Sequence, residues 1–233
     1  MKEPFKSESS RVMVQRWWWI RHAPIAGAEG RWIGHTDAGC GTIDSVQASA
    51  LAAALPGKAV WLTSGYRRTG ETLAAVGACL PETVNPQVEP DFAEQCFGAW
   101  DGQRYDDLGR TGGEDYWRFW DHPATARPPG GESFADVLVR VAAALDRRGR
   151  QHEAACTDFV VVAHAGTIRA ALAAALGLRA EQGLSFEVAP LSLTRIDCRS
   201  SSCLSQYDGN GEIRADSLPW RSWQIVFSNR TFP

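Results

Sequence analysis

Two apolar segments of this sequence run directly into a histidine, and this pattern constrains the fold more than any other feature. The first segment reads WWWIRHAP at residues 17–24 and places His22 after three tryptophans and an isoleucine. The second reads DFVVVAHAG at residues 158–166 and places His164 after a run of valines. Continuous apolar runs rich in β-branched residues are typical of strands buried on both faces of a parallel sheet. Because ligands bind such sheets at the carboxyl ends of the strands, we expect His22 and His164 to meet at one edge.

The order of the predicted elements in the first half of the chain indicates an α/β fold. A strand at residues 12–20 is followed by a helix at 45–55, a strand at 59–64 and a helix that ends near residue 80. Strands that alternate with helices in this way are typical of a parallel sheet with crossover helices.

The second half continues the pattern and then changes it. A helix is predicted at residues 133–148, the valine-rich strand follows, and another helix is predicted at 167–176. The tail alternates like antiparallel strands, at 184–189, 191–197 and 223–228. We therefore expect a three-layer α/β/α fold with a mostly parallel central sheet and an antiparallel C-terminal part.

The length of the chain fits one domain with a substantial core, and we expect a single domain over residues 1–233. Residues 1–11 are polar and are predicted to be disordered. Residues 91–131 are rich in glycine and aromatic residues, which is typical of lids and binding loops that project from a rigid sheet. The alternative is a packed subdomain that only covers the sheet. Residues 199–220 form a polar insertion of unknown purpose.

The composition favours a small-molecule partner. A net charge of -3, 44% hydrophobic and 22% charged residues are average for globular proteins, and they argue against disorder and nucleic-acid binding. No stretch approaches the roughly 18 apolar residues of a membrane span, and residues 1–16 lack the apolar centre of a secretory signal. We therefore expect a cytoplasmic protein with no membrane contact. The six cysteines are scattered, and we expect reduced thiols, with a disulfide between Cys198 and Cys203 as the alternative.

Arginines accompany the two histidines. Arg21 directly precedes His22, and another predicted strand runs into Arg67 and Arg68 at the start of a helix. Cations are unfavourable at the positive end of a helix dipole, so at least one of this pair should have an anionic partner, while the other can face solvent. A single histidine of this kind would be interpreted as a satisfied core residue. Two at equivalent strand ends, with arginines and the helix amino terminus after Gly166, predict a phosphate pocket.

Other kinds of site find no support in the sequence. It contains no P-loop, no dinucleotide-binding fingerprint, no H-E-x-x-H and no G-x-S-x-G. The five histidines do not have the spacing of metal ligands. We therefore expect neither a metal nor a cofactor.

Five segments carry further information: IRHAP, SGYRRTGET, AEQCFGAWDG, PPGGESFADVLVRV and VVVAHAGTIR. Together, and in this order, they resemble the motifs of the histidine phosphatase superfamily, which has the phosphoglycerate mutase-like fold. The family's spacing selects Arg68 over Arg67. Ala23 and Ala165 stand where the family usually has glycine, and we expect alanine to be tolerated unless the backbone there needs a positive φ. The wording of the motifs is most similar to α-ribazole phosphatase-like members.

The resemblance implies a reaction through a phosphohistidine. His22 would attack phosphorus, and water would then hydrolyse the intermediate. Arg21, Arg68 and His164 would bind the phosphoryl oxygens and stabilise their charge, together with the backbone at Ala165.

The resemblance also implies an acid and a substrate loop. Glu94 would protonate the leaving oxygen and later activate water, although a loop carboxylate paired with arginine is an alternative role. Asp101 is the alternative acid. Trp32, His35 and Trp100 are candidates for contact with the rest of the substrate.

The predicted function is a metal-independent phosphomonoesterase that acts on a small phosphorylated metabolite, with α-ribazole phosphate as one candidate. The first alternative is a phosphoglycerate mutase-type phosphoryl transferase. Family mutases have a longer insertion between the acid and the second histidine, so the short insertion here favours hydrolysis. The second alternative is a non-catalytic module that binds a phosphorylated ligand in the same pocket, although every expected catalytic residue is present.

Overall fold

The strands of this chain form a sheet that has the first strand near its centre. The computed structural model describes residues 11–152, 155–202 and 221–233. The strands in these ranges are β1 (Arg11–Arg21), β2 (Val60–Thr63), β3 (Gln87–Val88), β4 (Thr157–Ala163), β5 (Leu193–Ser202) and β6 (Arg221–Arg230). The α-helices are α1 (Ser45–Ala53), α2 (Arg67–Gly77), α3 (Tyr105–Thr111), α4 (Gly113–Asp121), α5 (Phe134–Gln151), α6 (Ala165–Leu176) and α7 (Ala180–Gly183). Two short 3₁₀ helices are present at Pro90–Phe92 and Gly98–Trp100.

The sheet combines a parallel part and an antiparallel part. Its strand order is β3-β2-β4-β1-β5-β6. Strands β1, β4, β2 and β3 pair in parallel, whereas β5 pairs antiparallel with β1 and β6 pairs antiparallel with β5. The predicted α/β fold, with a mostly parallel sheet and an antiparallel C-terminal part, is confirmed.

The pairing of β1 with β4 brings the two histidines together. Arg21, the last residue of β1, pairs with Ala163, the last residue of β4. His22 directly follows β1 and His164 directly follows β4, so the two histidines lie beside each other at the same edge of the sheet. The register of two buried parallel strands thus places two distant sequence motifs side by side.

The three tryptophans of β1 anchor this strand between two layers of helices, because successive side chains of a strand point to opposite faces. Trp17 and Trp19 are fully buried in the core formed with α5 and α6, and Trp17 stacks on Phe159 at a ring-centroid distance of 4.1 Å. Trp18 packs on the opposite face, with the side chains of α1 and α2, and donates its indole N–H to the Asp158 carboxylate at 2.8 Å. The apolar part of WWWIRHAP therefore fixes the position of its polar end.

Residues 91–131 leave the sheet and include α3, α4 and a separate group of buried side chains. This group, called the aromatic cluster below, is formed by Trp32, Trp100, Leu108, Tyr116 and Phe119. The sequence predicts a single helix at 113–121, where the structure has α4. Helix α3 precedes it and was not predicted, because its segment YDDLGRT buries one apolar residue and so shows no helical periodicity.

The predicted strand at residues 184–189 is wrong. Phe186 and Val188 alternate in the sequence because both pack against the core. Their carbonyl groups, however, accept hydrogen bonds from the side chains of Arg169 and Arg21 at 2.8 and 2.6 Å, not from a neighbouring strand. The alternation reflects one buried side of an irregular segment.

Several predictions concern residues at the limits of the described ranges. Disorder was predicted for residues 1–11, but Arg11 already belongs to β1, and the rest of that range lies outside the described residues. Strand β5 continues to Ser202, so part of the polar insertion predicted at 199–220 is strand, and the remainder lies outside the description. Cys203, which belongs to the alternative disulfide, lies there too. In the ranges that are described, no helix has the length and apolar character needed to cross a membrane.

Candidate active site

The two histidines that follow β1 and β4 form the centre of the candidate site. The imidazole rings of His22 and His164 are 5.1 Å apart between centroids and inclined at 63°. Both residues are buried, with exposed fractions of 5% and 0%. Since a buried polar group needs hydrogen bonds, the partners of each ring define its protonation and tautomer.

His22 is neutral and has its proton on Nδ1. This nitrogen lies 2.7 Å from the Ala23 carbonyl oxygen, and a carbonyl can only accept, so Nδ1 carries the proton. Burial lowers the pKa of His22 to about 3, and the cationic Arg68 and Arg21 act in the same direction. The lone pair therefore resides on Nε2, which has no hydrogen-bond partner among the described residues. A neutral imidazole with an available nitrogen is a nucleophile.

His164 has the opposite tautomer. Its Nδ1 accepts a hydrogen bond from Arg68 Nε at 3.2 Å, so its proton is on Nε2, which donates to Ser64 Oγ at 2.8 Å. Complete burial lowers the pKa of His164 well below its usual value, and Arg68 contributes to this effect. The residues that follow β2 and β4 are thus joined by a hydrogen bond at His164, and Arg68 of α2 binds the other nitrogen of its ring.

The structure separates the two adjacent arginines of SGYRRTGET. Arg68 is fully buried and donates from Nη1 and Nη2 to the carbonyl oxygens of Thr36 and Gly34, at 2.8 and 2.7 Å. Arg67 is exposed and forms a salt bridge of 2.6 Å with Glu71. Arg68 alone therefore reaches the histidines, as the family spacing implies.

Arg21 has a buried donor without a partner. Its Nη1 donates to the Val188 carbonyl oxygen at 2.6 Å, but its Nε is buried and forms no hydrogen bond within the described chain. Burial lowers the pKa of Arg21, although a guanidinium stays charged in proteins. A buried cationic donor without an acceptor costs more than a typical hydrogen bond contributes. Such a donor beside two histidines is suited to an oxyanion.

Glu94 lies at the amino terminus of α6. Its Oε2 accepts the backbone N–H of Gly166 at 3.3 Å, and its Oε1 accepts that of Gln95 at 3.0 Å. A Cβ at Gly166 would overlap the carboxylate, so a larger residue there would displace the end of the Glu94 side chain. Ala23 and Ala165, the departures from the family's glycines, do not have a positive φ, which explains why alanine fits at both.

The loop that carries Glu94 is anchored by one arginine. Arg140 of α5 donates to the carbonyl oxygens of Asp91, Ala93 and Glu94, at distances from 2.7 to 3.0 Å. It also forms a salt bridge of 2.9 Å with Glu132. This network attaches the loop to α5, so the position of the Glu94 carboxylate is fixed by the helix.

The predicted substrate-loop residues are not all near the histidines. His35 is exposed, and its Nε2 lies 3.1 Å from the Glu94 carbonyl oxygen. Trp32 and Trp100 are 6% and 3% exposed and pack in the aromatic cluster, which contradicts their proposed contact with substrate. The Asp101 carboxylate accepts the backbone N–H groups of Gly34 at 2.6 Å and of Phe97 at 3.0 Å, so it holds together the two loop segments that carry these residues.

The sequence analysis missed two residues of the site. Ser64 binds Nε2 of His164, and Tyr66 places its ring 5.7 Å from that imidazole. Both belong to SGYRRTGET and follow β2, so the rule that pointed to the other strand ends also applies to them.

Comparison with known proteins identifies the family. The profile of the histidine phosphatase superfamily (branch 1) matches residues 17–207. The chain therefore belongs to the histidine phosphatase superfamily. A curated relative, "Bifunctional protein Rv2228c" of Mycobacterium tuberculosis, is 32% identical over 159 residues, which are 68% of this chain and 40% of the relative. The chain thus spans less than half the length of the curated relatives it matches.

Solved structures of this superfamily share the fold. The alpha-ribazole phosphatase of Shigella flexneri has a TM-score of 0.72 and 21% identity, and the alignment covers 94% of this chain and 98% of that one. The mycobacterial glucosyl-3-phosphoglycerate phosphatase Rv2419c has a TM-score of 0.71 and 22% identity, with coverages of 94% and 100%. These matches confirm the predicted phosphoglycerate mutase-like fold, and the family profile confirms the predicted membership of the histidine phosphatase superfamily.

Proposed function

We propose that this chain is a metal-independent phosphomonoesterase that hydrolyses a small phosphorylated metabolite through a phosphohistidine at His22. The observation that carries the proposal is the pairing of a neutral His22, with its lone pair on Nε2, and a buried Arg21 Nε that has no partner in the described chain. A nucleophile and an unsatisfied cationic donor in one pocket are what a phosphoryl group requires.

The proposed reaction has two displacements. In the first, His22 Nε2 attacks phosphorus, the bond from phosphorus to the ester oxygen breaks, and protonated Glu94 transfers its proton to that oxygen. In the second, Glu94 takes a proton from water, the resulting hydroxide attacks the phosphohistidine, and the bond between phosphorus and nitrogen breaks. Inorganic phosphate leaves, and both His22 and Glu94 return to their initial state.

The charge of the phosphoryl oxygens is balanced by the protein. Arg21 offers Nε, Arg68 lies beside His164, and the amino terminus of α6 begins at Ala165. Together they form fixed donors around one dianion, which is where most of the catalytic effect in phosphoryl transfer arises. The His164 imidazole orients Arg68, because its Nδ1 accepts from Arg68 Nε and its Nε2 donates to Ser64. Because arginines supply the positive charge, the proposed mechanism has no step that needs a metal.

Two alternatives are separate outcomes of the test. A phosphoglycerate mutase-type transferase would pass the phosphoryl group to a second hydroxyl, and a non-catalytic module would bind the ligand without turnover. The two similar phosphatases described above are named for different substrates, so the proposal concerns the class of small phosphate esters, of which α-ribazole phosphate is one candidate. We expect the activity in the cytoplasm, with one domain over the described ranges and residues 91–131 as its cap.

Hydrolysis of an aryl phosphate in the presence of a chelator tests the proposal. We expect wild-type protein to release the phenol with EDTA present, and His22→Ala to lose about 10⁴-fold or more in kcat. His122→Ala, which changes an exposed histidine after α4, is the matched control and should retain wild-type activity. Turnover that persists in His22→Ala, or that disappears with EDTA, would overturn the proposal. Transfer to an added sugar phosphate in place of hydrolysis would indicate the transferase, and binding without turnover would indicate the module.

A further inference from the structure

Tyr66 lies between the buried His164 and the exposed His35, and the proposed mechanism does not use it. It is the N-cap residue of α2, and its carbonyl oxygen accepts the N–H groups of Thr69 and Gly70 at 3.0 and 3.1 Å. The backbone of Tyr66 is therefore fixed by the helix. Its side chain is half-buried and extends from the end of β2.

The ring of Tyr66 is held in place by its neighbours. The Arg68 guanidinium carbon lies 4.7 Å from the ring centroid, which is a cation–π contact. The His164 ring is 5.7 Å away at an angle of 86°, and the His35 ring is 5.7 Å away at 45°. The phenol hydroxyl has no hydrogen-bond partner among the described residues. Tyr66 thus offers a preoriented ring and an available hydroxyl at a low entropy cost.

The position of Tyr66 matches the side on which an alcohol would leave. In the proposed reaction the leaving oxygen receives its proton from Glu94. His35, which contacts Tyr66, donates from Nε2 to the Glu94 carbonyl oxygen at 3.1 Å. Tyr66 and His35 therefore form a continuous wall from His164 to the main chain of Glu94.

The charges near this wall are mostly negative. Burial raises the pKa of Tyr66, and although Arg68 opposes this effect, the carboxylates of Asp101 and Asp37 reinforce it. Of the cations here, Arg67 is engaged with Glu71, and Arg68 is held beneath the ring by loop carbonyls. A second anionic group on the substrate would meet the carboxylates of Asp37 and Asp101 on this side, whereas Arg67 is already paired with Glu71.

We propose that Tyr66, together with His35, forms the leaving-group subsite and selects an alcohol with an uncharged ring over an alcohol that carries a second anionic group. The inference rests on the proposed function, because it assigns the group that Glu94 protonates. Tyr66 would stack on the ring of the alcohol and donate its phenol proton to an oxygen or nitrogen of that ring.

Wild-type specificity tests the charge part of the proposal. Glycerol phosphate and 3-phosphoglycerate are of similar size and differ in the carboxylate of the latter. We expect kcat/KM for glycerol phosphate to exceed that for 3-phosphoglycerate by about tenfold or more, since like charges at close range repel. An equal or higher value for 3-phosphoglycerate would overturn this part.

A Tyr66→Leu variant tests the ring contact. We expect kcat/KM for phenyl phosphate to fall about 3- to 10-fold through KM, as for the loss of one aromatic contact, and the value for glycerol phosphate to change less than about twofold. Tyr66→Phe should keep the contact with phenyl phosphate. Tyr105→Leu, which changes an exposed tyrosine of α3, is the control and should leave both substrates unaffected.

Inhibition by vanadate separates the subsite from the phosphate site. We expect equal inhibition constants in wild type and Tyr66→Leu, because vanadate has no leaving group to contact Tyr66. Equal losses for both esters and for vanadate would show that Tyr66 only supports Arg68, and would overturn the proposal. If the wild type binds phenyl phosphate but hydrolyses none of the esters, the proposed function fails. The subsite is then tested by dissociation constants: weaker binding of phenyl phosphate to Tyr66→Leu than to wild type supports it, and equal binding overturns it.

Discussion

The sheet edge with its two histidines and the aromatic cluster are both buried, but they are buried in different ways. At the sheet edge His164 and Arg68 are fully buried, and each is fixed by hydrogen bonds to atoms that are distant in sequence. In the aromatic cluster Trp32 and Trp100 are buried by contacts between rings, 5.7 Å apart. Hydrogen bonds between polar groups hold the first region in place, whereas packing between aromatic rings holds the second.

This difference shows which kind of burial indicates a site. Burial of polar groups is costly, and the Nε of Arg21 remains without a partner in the described chain, so the sheet edge is incomplete without a ligand. The aromatic cluster also contains a buried donor without a partner in the described chain, the indole N–H of Trp32, but a neutral donor costs less to leave unpaired than a charged guanidinium, and the rings pack on one another. Aromatic residues in a long excursion are thus weaker evidence for binding than buried cations at strand ends.

The largest difference in kcat/KM should appear between variants of the adjacent residues Arg68 and Arg67. Lysine cannot reproduce the forked contacts of Arg68 with His164, Gly34 and Thr36, so Arg68→Lys should lower kcat/KM about 10²- to 10³-fold. Arg67→Lys changes an exposed side chain and should stay within about twofold of wild type. Steady-state kinetics with an aryl phosphate measure both. Similar losses in the two variants would remove the distinction between a buried functional arginine and an exposed one.

Substitutions in the aromatic cluster should lower the stability of the protein and leave its specificity for substrates unchanged. Trp100→Ala removes a nearly buried indole and should lower the free energy of unfolding by about 3–5 kcal/mol. Trp117→Ala, which changes a tryptophan of α4 that is 58% exposed, is the control and should cost less than about 1 kcal/mol. Urea denaturation measures these changes, and kinetics should show kcat/KM within about threefold of wild type in both variants. If Trp100→Ala raises KM without a loss of stability, Trp100 contacts the substrate, as the sequence predicted.

The buried histidines should make stability depend on pH. His22 has a pKa of about 3 when folded and 6.5 as the ordinary value, so the unfolded chain binds more protons between these pH values. The stabilisation is therefore complete above about pH 6.5 and decreases as the pH falls towards 3, by up to about 1.4 kcal/mol per pH unit for each such histidine.

Urea unfolding at pH 7.5, 6.5 and 5.5 checks this dependence. His22→Gln should show a smaller decrease between pH 6.5 and 5.5 than wild type. His122→Gln, at an exposed position, should show the wild-type decrease. If His22→Gln and wild type lose stability equally, His22 is not kept neutral by burial.

The sequence was sufficient for the sheet and for the residues at its edge, because both follow from local patterns. Apolar runs predict the strands β1 and β4, and the parallel arrangement then brings His22 and His164 together without further information. The alternation in β5 and β6 likewise predicts the antiparallel part, since a strand with one buried face has a period of two.

The missed features depend on tertiary contacts that no local pattern contains. Residues 184–189 look like a strand, but Arg21 and Arg169 occupy the carbonyl groups of that segment. The sequence alone indicates that Trp32 is an exposed loop residue, and only its packing against side chains of residues 91–131 buries it. The sequence places Tyr66 at the start of a helix, but it does not show the cation–π contact with Arg68.

Trapping of the phosphorylated intermediate tests the central claim most directly. After acid-free denaturing quench of a reaction with ³²P-labelled phenyl phosphate, we expect label that is stable to base, labile to acid and located by peptide mapping at His22. Glu94→Gln should accumulate this label because it lacks the base for the second step, and His22→Ala should contain none. Label at another residue, or hydrolysis by wild-type and Glu94→Gln proteins without any label on His22, would contradict the account.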